Sequence, residues 1–431
     1  MNARPFIVAL VCTALPAWAE ASPADRPDPA RYRPHVEDKV IKAIKDRNEA
    51  RDADEKKATA NIRENQKTEK KLKKDSRKDL IADLPASRRP ASLEIFGAPF
   101  HFAPVAQYYT GTCWSFAGTS YLESEIHRIR GRKVKMSEMF TVYWEYVEKA
   151  RRFVARRGDS AFGEGSQLNS VTRMWKKHGA VPHELFPGIL AEDGWHDHSR
   201  MHREMNQYLE HAKATDLWDE ALVLANIHAI MERYLGRPPA EFQWEGRQYT
   251  PVTFVTDYLG LDPDAYVQFM STTREPLFQT ALFDVPDNWW LDDTYHNVPL
   301  EDFYGVVGQA VEAGYTVGLG GDVSEPGKNP EQDVAFVPDF DIPPGLITQD
   351  VREYRIHNKS TGDDHGIHLL GRATVDGSDW YLIKDSGRSA RKGKFKGYYF
   401  FREDFIRLKM LTVMVHRDVA PALLERFGKK K

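Results

Sequence analysis

The sequence predicts an α+β fold with a helical first half, a strand-rich second half and a long insert between them. Three observations carry this. Amphipathic helical patterns run from Ser115 to Trp175, short strand patterns separated by turns crowd between His365 and Val415, and residues from about 188 to 350 are built differently from both. The chain has 431 residues, 41% of them hydrophobic and 12% aromatic, ample for one large domain or two ordinary ones. A net charge of −3 lacks the basic excess that nucleic acid requires, so no nucleic-acid partner is expected.

Met1 to Ala19 combines Arg4, an apolar run from Phe6 to Trp18 and an Ala17-Trp18-Ala19 cleavage site. That is the pattern of a secretory signal peptide, so export to the periplasm or the medium is expected; a lipoprotein reading through Cys12 ranks below it. No later apolar run is long enough to span a bilayer, and no stable membrane insertion is expected after signal removal. Residues 20–90 form an arm. Its first part is rich in Pro, Ala, Asp and Arg, and Val36 to Leu84 is dense in charge with apolar residues too sparse for a heptad. A solvated helix or a disordered spacer satisfies this pattern, with a pro-segment or adhesive arm as the functional alternative. The Pro-bounded stretch Leu84 to Pro90 marks the boundary of a folded region spanning about 91–425.

Within that region Ser115 to Arg130 reads as a helix ending at Gly131, and Ser137 to Arg157 as a second with a buried aromatic stripe. A short helix runs through Trp175. In the insert, expected to be mainly helical, Met201 to Leu222 and Ala225 to Leu235 read as helices, and Thr316 to Gly321 as a strand with close backbone contacts rather than a phosphate loop. His196, His198 and His202 suggest a metal cluster, but no further ligand completes a known pattern, so neither metal nor other cofactor is expected. His365 to Ala373, Trp380 to Lys384, Gly397 to Phe401 and Met410 to Val415 read as strands, with a turn at Asp376-Gly377. A cleft between the two halves is where a site would lie.

One stretch supplies a nucleophile for such a cleft. Val105 to Ala117 reads V-A-Q-Y-Y-T-G-T-C-W-S-F-A, placing Gln107 six residues before Cys113 at the predicted start of a helix. A thiol there faces unpaired backbone N–H groups and the positive end of the helix dipole, which stabilise a thiolate. The Gln107 amide on the approaching loop can donate to a developing oxyanion. Apart from Cys12 in the expected leader, Cys113 is the only cysteine, so its default role as a small buried hydrophobe has to be overturned by its neighbours. His365 opens a strand and can face a cleft; His368, three residues on, points to the opposite face. Asp385 ends the next strand, where it can hold the His365 ring.

Gln107 with G-T-C-W-S-F-A, then D-H-G-I at Asp364 to Ile367, then K-D-S-G at Lys384 to Gly387, resembles the papain-type cysteine peptidases in that order. L-G-R-P-P-A-E-F-Q-W from Leu235 and G-L-G-G-D-V from Gly318 are similar to the bleomycin hydrolase and aminopeptidase C branch. The resemblance implies a papain-like two-subdomain fold, with Cys113 as nucleophile, His365 as base and later acid, and Gln107 as oxyanion donor. It also implies that Gly165 and Ser166 line the substrate site, and that the substrate is a peptide or protein. Three departures stand out. Asp385 replaces the family's asparagine and Gly387 its tryptophan, which predicts a water-exposed His365–Asp385 bond. Ser166 adds a side chain where the family has glycine. The tail A-L-L-E-R-F-G-K-K-K lacks the branch's ending, which bears on whether the cleft is blocked and on the branch's hexamer; the oligomeric state is left open.

The function expected is therefore an exported cysteine peptidase, an aminopeptidase or an endopeptidase. A catalytically weak peptidase-fold protein that binds a cell-envelope partner is the alternative from another class, and an amidase acting on envelope polymers uses the same residues on a different substrate.

Overall fold

The computed structural model describes residues 30–427, so the expected leader and the last four residues of the tail lie outside the described residues. Two units make up the chain, meeting at Lys78 and Asp79. The first holds α1 (Lys39–Asp75), a helix of 37 residues with no buried residue. Asp38 caps it, its Oδ1 accepting from the N–H groups of Val40 and Ile41 at 2.8 and 3.1 Å. Its few apolar side chains, Val40, Ile41, Ile62 and Leu72 among them, stand exposed, and the helix is of the solvated kind.

Asp79 to Pro90, expected as part of the arm, belongs to the second unit, where Leu84 is buried and Ala82 N–H donates to Pro326 O at 2.8 Å. The helical part follows: α2 (Cys113–Arg130), α3 (Glu138–Ala155), α4 (Asn169–His178), α5 (Ser199–Ala214) and α6 (Glu220–Leu235). Ser137 caps α3 through the Phe140 N–H at 3.0 Å, and Gly131 ends α2 in the left-handed region at φ 67°. The break between the last two helices lies at Thr215 to Asp219 rather than after Leu222, because Asp216 takes a φ of 53° and Asp219 caps Leu222 N–H.

A hairpin of β1 (Phe242–Trp244) and β2 (Arg247–Tyr249) leads into the single turn α7 (Pro251–Thr253). Then come β3 (Tyr266–Met270), β4 (Gln279–Ala281), β5 (Tyr295–Asn297), α8 (Leu300–Glu312), β6 (Val317–Gly321) and β7 (Val334–Ala335). The chain ends through α9 (Gln349–His357), β8 (His365–Val375), β9 (Ser378–Lys384), β10 (Tyr398–Arg402), α10 (Glu403–Lys409), β11 (Met410–His416) and α11 (Pro421–Leu424). Nine strands form one mixed sheet in the order β4-β5-β3-β11-β6-β8-β9-β10-β7. The insert, besides its helices, thus delivers five strands to that sheet, and Thr316 to Gly321 is the strand its glycines suggested.

Two large apolar cores result. One joins α2 to α6 around Tyr121, Phe140 and Trp175; the other lies between the sheet and helices α8 and α10, around Phe303, Ile367 and Phe405. The chain joins its halves where α2 packs on β8. A Cβ on Gly366 would lie 3.2 Å from Trp114 Cα and 3.1 Å from Leu168 Cδ1, so any side chain there would press the first turn of α2 outward by a few tenths of an ångström.

Candidate active site

The first residue of α2 is Cys113, a free, partly exposed thiol. Thr112, which precedes it, makes no side-chain cap; its hydroxyl turns instead to Thr110 Oγ1 at 2.7 Å. The helix therefore begins with open N–H donors beside the sulfur. The first residue of β8 is His365, and the residue just past β9 is Asp385. Because β8 and β9 run antiparallel as neighbours, their ends meet, and His365 Nε2 pairs with Asp385 Oδ1 at 2.8 Å. Nδ1 is left for the sulfur, which interacts favourably with the protonated ring.

The electrostatics follow from this arrangement. Burial works against a charged His365, but Asp385 and Cys113 outweigh it and push the ring pKa up to about 10. Burial would raise the Asp385 carboxyl, yet the imidazolium, with help from Lys328 and the Gly387 N–H, holds it well below the usual carboxylate range. The His365–Asp385 bond is not exposed to water as the glycine at 387 suggested: Asp385 is 1% exposed, and its Oδ1 also accepts the Gly387 N–H at 2.6 Å. Its other oxygen, Oδ2, is buried without a hydrogen-bond partner among the described residues.

Gln107 approaches from the loop before α2. Ser386 Oγ donates to Gln107 Oε1 at 2.7 Å, Gln107 Nε2 donates to Thr110 O at 2.8 Å, and the main chains join through Gln107 N–H and Ser386 O at 3.1 Å. With Oε1 fixed as acceptor, the amide nitrogen keeps one further proton for an oxyanion. Ser386 is a residue sequence reasoning missed, although it stands next to Asp385.

Gly165 and Ser166 lie beside the nucleophile, where Trp114 Nε1 donates to Glu164 O at 3.0 Å and Gly111 N–H to Glu164 Oε2 at 2.7 Å. Ser166 does not intrude on the cleft. Its hydroxyl donates to Glu145 Oε1 at 2.6 Å and the residue is buried, so the side chain faces the interior. The buried Lys149 ammonium donates to the carbonyls of Gly163 and Gly165 and fixes this strip. Gly165 itself packs against the Asp287 carboxylate, which leaves no room for a Cβ.

The other histidines go elsewhere. His368 is buried with Nδ1 2.9 Å from Ser120 Oγ, and burial holds it neutral. His196 and His198 are buried against Phe116 and Tyr146, their pKa values lowered by burial to about 4 and about 3, and His202 stacks on Phe162. Among the described residues no group of three histidine, cysteine or carboxylate side chains is placed to hold a metal ion. No described helix is long and apolar enough to cross a membrane.

A cleft of about 1060 Å³ opens at Gln107 and runs between Tyr108, Tyr109 and Trp195 on one side and Ser386, Gly387, Arg388 and Arg391 on the other. Gln107 and Gly387 join this cleft to Cys113 and His365, and a nucleophile, a base with its orienter and an oxyanion donor are the equipment for acyl transfer.

Comparison with known proteins agrees. The profile of the Peptidase C1-like family matches residues 152–428, a stretch that contains His365 and Asp385 and begins after Cys113. Among solved structures, PepW from Lactobacillus rhamnosis is similar with a TM-score of 0.63 at 18% identity, over 79% of this chain and 85% of that one. A mite allergen from a study of Blo t 1 and Der p 1 matches with a TM-score of 0.38 at 15% identity, over 78% and 74%. Procathepsin L 3 of Tenebrio molitor larval midgut gives 0.31 and 13%, over 78% and 73%. No curated protein sequence matches the chain.

Proposed function

Because the chain belongs to the Peptidase C1-like family of papain-type cysteine peptidases, we propose that it hydrolyses peptide bonds with Cys113 as nucleophile. The observation that carries the reading is the convergence of three separate elements: the open start of α2, the first residue of β8 and the end of β9, joined by the 2.8 Å His365–Asp385 bond. The Cys113 thiolate attacks the scissile carbonyl carbon, and the oxyanion is met by the Gln107 amide and the Cys113 N–H. The C–N bond then breaks as His365 gives its proton to the leaving amine, and a thioester remains on Cys113. Water, deprotonated by His365, attacks that thioester, the acid is released and the ion pair is restored.

Within this reading the enzyme is an aminopeptidase or an endopeptidase. Export, proposed from Met1 to Ala19, is tested by the N-terminal sequence of protein recovered outside the cytoplasm. For the chemistry, labelling with a thiol-directed alkylating agent across pH should show Cys113 reacting faster than a free thiol at pH 6. Turnover of a peptide library should vanish in Cys113→Ala. An end-blocked peptide cut internally supports an endopeptidase, whereas release of single residues from free N-termini alone assigns an aminopeptidase.

A further inference from the structure

We propose that the cleft wall formed by Arg388 and Arg391 binds acidic residues of the substrate on the leaving side of the scissile bond. This deepens the peptidase reading and rests on it for the direction of the chain. The wall follows directly on the orienter, in the run D-S-G-R-S-A-R-K-G-K-F-K from Asp385 to Lys396, which puts five cations within nine residues.

Position assigns the side. Gly387 lies against the imidazole, so close that a Cβ there would stand 3.4 Å from His365 Nε2 and 3.5 Å from Cε1. The ring hands its proton from Nδ1 to the departing amine, so the amine-bearing half of the substrate lies on the imidazole side of the sulfur; Gly387 covers the far, Nε2 edge of that ring, and Arg388 and Arg391, which line the cleft, follow it. Opposite them stand Tyr108, Tyr109 and Trp195, exposed by 48, 69 and 58%, which offer a shelf for an extended chain.

Charge assigns the chemistry. Among the described residues Arg388, Arg391, Lys392, Lys394 and Lys396 have no carboxylate within ion-pair distance; Arg391 reaches only Pro104 O at 3.5 Å, and Lys396 reaches the Arg391 and Lys392 carbonyls. The carboxylates across the cleft each accept a backbone N–H: Asp193 from Trp195 and Asp197 from Ser199, both at 2.9 Å, and Glu164 from Gly111 at 2.7 Å. Arg388 and Arg391 thus stand on one wall without an ion pair, facing Glu164, Asp193 and Asp197 on the other, and a substrate carboxylate can pair with them. The wall is also held in shape: buried Asp333 accepts the N–H groups of Lys394 and Phe395 at 2.7 and 3.1 Å, and Gly397 N–H donates to Ala390 O at 2.7 Å. Pre-ordered cations lose little freedom on binding a carboxylate.

Two measurements test this. Peptides of one upstream sequence, with Asp and Glu or with Lys and Arg downstream, are compared for kcat/KM and, in the Cys113→Ala chain, for binding by fluorescence anisotropy. The acidic peptides should bind and turn over at least about tenfold better at low ionic strength, with the ratio shrinking as salt is added. In the double variant Arg388→Glu, Arg391→Glu the acidic-to-basic ratio should fall to one or invert. Equal or undetectable binding of the two peptide sets, or a preference set by aromatic residues and unmoved by the double variant, overturns the proposal. Hydrolysis of a fluorogenic amide with no downstream residue reads the peptidase chemistry separately. Its failure alongside selective binding would sink the peptidase reading and leave the acidic-peptide surface standing.

Discussion

His365 is held between two partners of opposite use, a sulfur it activates and a carboxylate that anchors it. Since its pKa is raised, the protonated ring persists to higher pH than a free imidazole, and the thiolate–imidazolium pair persists with it. Asp385→Asn removes the charge and keeps the hydrogen-bonding shape, so the alkaline limb of the kcat/KM profile should move toward neutrality by roughly one pH unit or more. Asp385→Ala should in addition lower kcat by roughly 10²-fold, by freeing the ring. A pH-rate profile unchanged in both variants would remove Asp385 from the site. Gln107→Ala should reduce kcat by about 10²-fold with little change in KM, because the lost donor acts on the oxyanion rather than on the bound peptide. Asp363 offers a test on stability. Burial, together with Asp287 and Asp364, raises its carboxyl to about 7 against a hydrogen bond from Gln167. The folded chain thus keeps a proton that the unfolded chain releases near pH 4, and stability falls as pH rises from about 4 through 7. Thermal melts should show Asp363→Asn gaining on the parent at pH 8 and not at pH 5. The places of Cys113 and His365 were legible because they open α2 and β8, and that of Asp385 because it follows β9, where pattern and spacing put them. The Ser386 contact to Gln107 and the inward turn of Ser166 were not, since side-chain direction in a loop depends on neighbours far along the chain.

Among the elements, α2 and β8 matter most, because their packing sets how far the sulfur stands from the ring. Gly366→Val would drive a branched side chain into Trp114 and Leu168, and it should cost about 1–3 kcal/mol of stability in denaturant melts while lowering activity more than a surface change. The strands from His365 onward were legible: each is an apolar run bounded by turn residues, and Asp376 and Gly377 take the φ values of 51° and 72° that a tight hairpin demands. The strands of the insert were harder. β4 and β5 have three residues each and β7 has two, too short for a period of two to show, and their place in the sheet is fixed by partners in β3 and β10. The helix break at Thr215 was missed for a related reason: Asp216 and Asp219 act through a turn and a cap, whereas the apolar spacing runs on past them.

On the scale of the molecule, the helical and strand-rich parts foreseen from sequence are both present, and the single sheet that absorbs the insert is what pattern reading could not supply. The separate helix α1 buries nothing, so its helicity rests on local propensity and capping alone. Thr59→Pro should therefore remove much of its circular-dichroism signal while leaving the main melting transition of the chain unmoved. The split of the site between α2 and the β8–β9 pair also has a meaning in time. Roughly 250 residues separate nucleophile from base, so at about 5–20 residues per second the thiol leaves the ribosome well over ten seconds before the imidazole exists. Until β8 and β9 have joined the sheet and met α2, the cysteine is an ordinary thiol. The order of synthesis thus keeps the growing chain, and whatever handles it on the way, from meeting an active peptidase before folding is complete.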